Sequence, residues 1–188
     1  MADPVAIVLA AGASRRYGIE NKLLADWEGA PMVSWPIRAA HGAGLSVTVV
    51  TGHEREVVEA ALAGTMAEGD RFAFNVLHKD GMGTGIAAGV TATFDARGWL
   101  ILLGDAPRVT SETLRKLLEL GAPDAIIACR RGDGFSSPVL FGREFRSELI
   151  QVGGDSGGRE ILNAHRDRLV LVDVELKEVE DVDTPLSR

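Results

Sequence analysis

The sequence predicts an α/β protein with a mostly parallel central sheet. Two observations carry this. Short apolar runs recur along the chain with helix-like segments between them, and the 188 residues are 46% hydrophobic and 25% charged, enough for one sizeable core. Alternation of this kind belongs to βαβ units, whose strands run parallel and whose ligands sit beyond the strands' carboxyl ends.

The apolar runs place strands over residues 5–10, 46–51, 72–77, 99–103 and 125–129. A helix is expected over 54–63, where Val57, Val58, Ala61 and Leu62 share a face. Another covers 84–94, small and apolar throughout. A third covers 111–118, with Leu114, Leu117 and Leu118 on one side and Glu112 in the first turn, where the helix dipole favours an acid. After Cys129 the rhythm changes. Gly132, Gly134, Ser136, Ser137 and Pro138 read as a loop, then 139–141 as a short strand and 145–150 as a helix. A glycine-rich stretch at 153–158, a helix over 158–164 and a strand over 169–174 follow.

The net charge of −7 argues against a nucleic-acid or membrane-surface partner, because both favour a basic face. Cys129 is the only cysteine, so no intrachain disulfide forms, and a cytoplasmic setting is expected. Met1-Ala2-Asp3-Pro4 lacks the positive start of a signal peptide, and no run reaches the ~20 apolar residues of a membrane span.

Chemistry concentrates at the predicted strand ends. The first strand runs into Leu9-Ala10-Ala11-Gly12-Ala13-Ser14-Arg15-Arg16-Tyr17-Gly18, with Lys22 beyond. Small residues let backbone N–H groups approach a ligand, and fixed cations follow at once, a recipe for binding phosphate. The spacing is neither G-x-x-x-x-G-K-[ST] nor G-x-G-x-x-G. By itself it also suits a plain βα turn. Gly104-Asp105-Ala106-Pro107-Arg108-Val109 follows the strand at 99–103. Asp105 there either holds a hard divalent ion or caps the turn or the helix at Ser111. Asp181 and Asp183 in the acidic tail are either solvated surface or, if the tail folds back, companions of Asp105 at a metal. Gly81 and its neighbours in Asp80-Gly81-Met82-Gly83-Thr84-Gly85 precede a helix and either bring backbone to the ligand face or form a plain βα loop, and Asp155 and Arg159 in the 153–159 loop either grip an anionic second substrate or belong to a surface turn. His41, His53, His78 and His165 show no metal-ligand spacing and read as structural or surface, His53 the least plainly so. No G-x-S-x-G elbow supports serine chemistry.

Together these motifs resemble the MobA-like nucleotidyltransferases, most closely their molybdenum cofactor cytidylyltransferase branch. L-A-A-G-x-S-x-R-x-G with its Lys is matched by Leu9 to Gly18 and Lys22. G-D-x-P-x-V is matched at Gly104, the G-M loop at Gly81-Met82, and P-V-L-F at Pro138. G-D-x-G-x-R is matched at Gly154 and D-x-D-T-P at Asp181. The resemblance implies a Rossmann-like three-layer α/β/α nucleotidyltransferase domain over 1–188, with 1–129 binding nucleotide and 130–188 forming the acceptor-binding and C-terminal part. It implies that Leu9, Ala10, Ala11, Gly12, Ser14, Arg16, Lys22, Gly81, Gly104 and Asp105 bind the nucleotide. Arg16, Lys22 and Asp105 would be catalytic, Asp155 and Arg159 would bind the acceptor, and Asp105 and Asp183 would hold Mg²⁺. Ala11, in the third position of the first motif, implies CTP rather than GTP. The implied reaction moves CMP from CTP to a molybdopterin-type cofactor and releases pyrophosphate, with a molybdoenzyme client as partner. Ala106, Gly85 and Ser137 depart from the family's frequent Met, Ser and His. The last two keep open another phosphate or sugar-phosphate acceptor. A noncatalytic cofactor-binding chaperone is the alternative from a different class.

Overall fold

The computed structural model describes residues 3–12, 21–155 and 157–182. Strand β1 (Val5–Ala10) leads to a small hairpin of β2 (Asp26–Trp27) and β3 (Ala30–Pro31), then helix α1 (Ser34–Gly42). Next come β4 (Ser46–Thr51), α2 (Arg55–Leu62), β5 (Arg71–Phe74), α3 (Met82–Ala92), β6 (Gly98–Leu103) and α4 (Ser111–Glu119). The remainder is β7 (Ile126–Arg131), β8 (Gly134–Gly142), α5 (Arg146–Leu149), α6 (Arg159–Ala164) and β9 (Leu169–Val172).

One seven-stranded sheet has the order β5-β4-β1-β6-β8-β7-β9. All neighbours pair parallel except β8, which runs antiparallel to both β6 and β7. Strand β1 is central, with Ala6 opposite Val47 on one side and Leu100 on the other. Its residues divide between two cores. Ala6, Val8 and Ala10 pack with Ile37, Ala40, Val58, Leu62, Leu114 and Leu117 from α1, α2 and α4. Val5 and Ile7 pack with Ile86, Val90, Leu149, Ile161 and Leu162 from α3, α5 and α6. Burial on both faces explains why the strand reads as an unbroken apolar run. The layering is α/β/α, as the sequence predicts, and the sheet is mostly parallel. Helix α3 consists of small residues because it lies close on β1: a methyl added at Gly89 would come 2.6 Å from Ile7 Cγ2.

Three elements differ most from the sequence reading, each for a local reason. Strand β5 ends at Phe74 rather than 77 because the Asn75 carboxamide accepts the Leu77 N–H and turns the chain, leaving Val76 and Leu77 exposed. Helix α3 starts at Met82, two residues early, where Gly81 supplies a φ of +104° just before it. Residues 134–142 form a long strand, not a loop with a short strand after it. The hairpin turns at Gly132 (φ +57°), and the register shift between Ala128 and Cys129 leaves Ser137 and Pro138 outside the paired positions, so Pro138 costs no ladder bond. The β2–β3 hairpin and α1 were not foreseen. Pro36 masks α1 in the sequence, yet it sits in the helix's first turn, where a missing N–H is tolerated.

Candidate active site

A sheet whose strands run outward in both directions from β1 opens a crevice at the carboxyl ends of β1 and β6. Chain order puts β4 and β5 on one side of β1 and β6 on the other, so the connecting helices diverge there. The small residues of both loops let the two strand ends close up. The Gly104 N–H donates to the Leu9 carbonyl at 3.0 Å, and a methyl on Gly104 would come 2.8 Å from that oxygen. Asp105 follows immediately.

Lys22 begins a single 3-10 turn capped by the Asn21 side chain, which accepts the Leu23 N–H. The turn carries the lysine under the strand ends. Its ammonium donates to Asp105 Oδ2 at 2.8 Å, across 83 residues of sequence. The Lys22 side chain is only 7% exposed and that of Asp105 is 27% exposed. A buried ammonium needs a counter-charge, and Asp105 provides one while keeping part of its surface open to the crevice. Asp105 does not cap α4: Thr110 does, its hydroxyl accepting the Thr113 N–H at 3.2 Å. The helix-capping alternative for Asp105 is therefore removed. The tail does fold back, since the Val182 N–H donates to the Asp105 carbonyl at 3.1 Å. Asp183, the next residue, lies outside the described residues, as do Ser14 and Arg16.

The other expected residues fall along the same edge. The Ala11 carbonyl accepts the His53 N–H at 3.1 Å, and Ala11 and His78 flank Gly52 so tightly that a methyl there would meet their Cβ atoms at 2.8 and 2.5 Å. Leu9, Ala10 and Gly12 complete the strand end. Gly81 and Gly83 lie backbone to backbone against the 153–155 loop, with the Gly83 N–H on the Gly154 carbonyl at 2.9 Å. A methyl on Gly81 would sit 2.2 Å from the Gly154 carbonyl carbon. The loop bearing Asp155 is thus brought to the N-terminus of α3, with Asp155 and Arg159 both exposed. Asn75 and Thr84, which the sequence reading missed, lock this corner: the buried carboxamide donates to Thr84 Oγ1 at 2.8 Å, and that hydroxyl reaches the Gly81 carbonyl at 2.8 Å. Only an Asn following a strand hinted at it.

One of the two departures acquires a structural explanation. Gly85 is buried, but a methyl there would stand in ordinary contact, 3.4 Å from Leu9 Cδ2, and nothing in the structure explains the glycine. The Ser137 hydroxyl donates to the Ile101 carbonyl at 3.1 Å. Of the histidines, His41 pairs with Asp70 at 2.7 Å and His165 with Glu148 at 2.9 Å, both structural contacts. Burial pushes the Cys129 thiol up to about 12, with the nearby Glu178 carboxylate adding to the rise, so it is no nucleophile at neutral pH.

Residues 6–169 match the MobA-like NTP transferase domain. The chain belongs to this family. It is 37% identical over 152 residues to the bifunctional protein GlmU of Caldanaerobacter subterraneus, a match taking in 79% of this chain and 32% of that protein. The chain spans about a third of the length of the curated relatives it matches. Among solved structures it superposes on a nucleotidyl transferase from Methanothermobacter with a TM-score of 0.84 and 25% identity, over 96% of this chain and 92% of that one. It also superposes on Rv0371c of Mycobacterium tuberculosis in complex with manganese, with a TM-score of 0.72 and 25% identity, over 93% and 90% of the two chains. No helix among the described residues is long and apolar enough to cross a membrane.

Proposed function

We propose that this chain is a nucleotidyltransferase that moves CMP from CTP to the terminal phosphate of a molybdopterin-type molybdenum cofactor. The observation that carries the transfer chemistry is the pairing of Lys22 with Asp105 in the crevice between β1 and β6. The family match supports it. The third-position Ala11 supports CTP.

An acceptor phosphate oxygen attacks the α-phosphorus in line. A new P–O bond forms, the bond to the β-phosphate oxygen breaks, and pyrophosphate leaves with the electron pair. Catalysis is then positioning and charge neutralisation. Lys22 would neutralise charge on the triphosphate and the leaving pyrophosphate, and Arg16, earlier in the same segment, would share that role. The small residues Ala10 to Gly12 admit the triphosphate close to the backbone. No covalent intermediate is needed, consistent with a protonated Cys129.

The donor chemistry at Asp105 fits a divalent cation: a partly open, hard carboxylate already facing one positive charge. Among the described residues no three His, Cys, Asp or Glu side chains gather as a ready metal cage. Asp105 would hold the ion with Asp183 and the nucleotide's own oxygens. Mg²⁺ bound there supplies charge stabilisation on the phosphates. Asp155 and Arg159 would meet the acceptor on the far side of the Gly81 loop.

The test is pyrophosphate release with Mg²⁺, molybdenum-loaded molybdopterin and either CTP or GTP. Release with CTP alone, lost in Asp105→Asn, is expected. Release only when a sugar phosphate replaces molybdopterin redirects the acceptor, a reading kept because Gly85 and Ser137 depart from the family pattern. NTP binding without release from any acceptor makes the chain a cofactor-binding chaperone.

A further inference from the structure

The loop that carries Asp105 is weakly held from within. Between β6 and α4 its internal bonds are long, 3.3 Å from the Ala106 N–H to the Leu103 carbonyl and 3.4 Å from the Val109 N–H to the Ala106 carbonyl. Besides Lys22 on the Asp105 carboxylate and the burial of Ala106 and Val109, support comes from the C-terminal segment, which grips the loop at both ends. At the first end the Val182 N–H holds the Asp105 carbonyl, and the Val182 side chain is buried against Trp27, Met32 and Trp35. At the last end Glu178 Oε2 receives the hydroxyls of Thr110 at 3.0 Å and Thr113 at 2.5 Å. Between these grips Val179 is buried in the core, and its carbonyl accepts the Ser136 hydroxyl at 3.3 Å.

The arrangement is a strap laid across residues 105–110. A carboxylate at the N-terminal turn of α4 is favoured by the helix dipole. Thr110 does two jobs with one hydroxyl, since it caps α4 and donates to Glu178. A site whose ligand sits on an irregular loop depends on such outside support for its geometry.

We propose that Glu178 is a positioning residue for Asp105: acting through Thr110, Thr113 and the strap, it sets the carboxylate's place and thereby the affinity for the divalent cation. This rests on the nucleotide and metal reading above. Glu178 itself reaches α4 and the hydroxyls, and is not offered as a metal ligand.

The experiment titrates Mn²⁺ against the full chain with CTP or GTP present, following free Mn²⁺ by electron paramagnetic resonance. Glu178→Ala is expected to raise the half-saturating Mn²⁺ concentration at least fivefold. Glu178→Gln should stay within twofold of wild type, because its amide oxygen still accepts the hydroxyls. Asp70→Asn, which weakens the fold near the start of β4 and away from Asp105, should leave Mn²⁺ binding unchanged. Wild-type affinity in folded Glu178→Ala overturns the proposal, and so does an equal shift in Asp70→Asn. Should Glu178→Ala not fold, Thr113→Val removes one of the two grips and is expected to shift the midpoint at least twofold; no shift overturns the proposal. Wild-type protein that binds Mn²⁺ with neither nucleotide overturns the metal reading itself, and the strap proposal with it.

Discussion

Two aspartates, one beside the start of β4 and one beyond the end of β6, show how one residue type is made structural or available. Asp70 sits near the start of β4. Its Oδ1 accepts the Val47 N–H at 2.7 Å, its Oδ2 accepts the Ala67 N–H at 2.8 Å and meets His41 Nε2 at 2.7 Å, and its side chain is 1% exposed. Asp105 sits beyond the end of β6, facing Lys22 with its side chain 27% exposed. Both are paired, but only Asp105 keeps surface that another cation can reach. Asp70 spends its lone pairs on the main chain and so fixes the entry to β4. The lesson is that a paired carboxylate is no guide to function by itself; the surface it keeps is.

The largest expected effect separates the two on activity. Asp105→Asn should lower turnover by about 10²- to 10³-fold, the range for losing one key electrostatic group, with some loss of stability because the buried Lys22 ammonium loses its counter-charge. Turnover close to wild type in a folded Asp105→Asn protein removes Asp105 from the chemistry. Lys22→Met should weaken NTP binding about 10- to 100-fold, the loss of a charge-assisted hydrogen bond of roughly 1.5–3 kcal/mol. Calorimetric titration with CTP reads this directly, and unchanged affinity takes Lys22 out of the phosphate site. Asp70→Asn reverses the pattern, losing about 1–3 kcal/mol of stability as buried donors lose their acceptor charge. Urea denaturation should show that loss with turnover unchanged; a turnover defect would join the two sites functionally.

The smallest effect uses the buried thiol as a reporter. With the Cys129 thiol raised from 9.0 to about 12, the folded chain keeps a proton that the unfolded chain releases. Its contribution to stability is whole below about 9 and declines as pH rises toward about 12. Cys129→Ala should therefore flatten the alkaline arm of a stability–pH curve. An alkaline arm identical to wild type assigns that decline to other groups.

Asp105 was legible because an apolar strand ending in Gly-Asp is a strong local pattern. Asp70 was not, because it lies in a polar turn after Gly69 and its His41 partner is 29 residues away. The parallel half of the sheet could be read from its apolar runs, whereas β8 was masked by Gly134, Ser136, Ser137 and Pro138, which in isolation signal a loop. Pairing with β7 and the bulge override that signal, since a strand's hydrogen bonds are made with neighbours and not within itself.

The sequence by itself determined the α/β layering, the parallel strands around β1, and the motifs that mark the loop after β1 and Asp105. Local apolar runs, helical spacing and glycine placement are properties of short stretches, and they survive without knowledge of the rest of the chain. Only the tertiary structure decided that Lys22 faces Asp105, that Thr110 rather than Asp105 caps α4, and that Glu178 and Val182 strap the Asp105 loop from the far end of the chain. These contacts join residues separated by long stretches of sequence. They form when burial makes each charge or hydroxyl find the partner that packing brings beside it, and no local pattern encodes that choice.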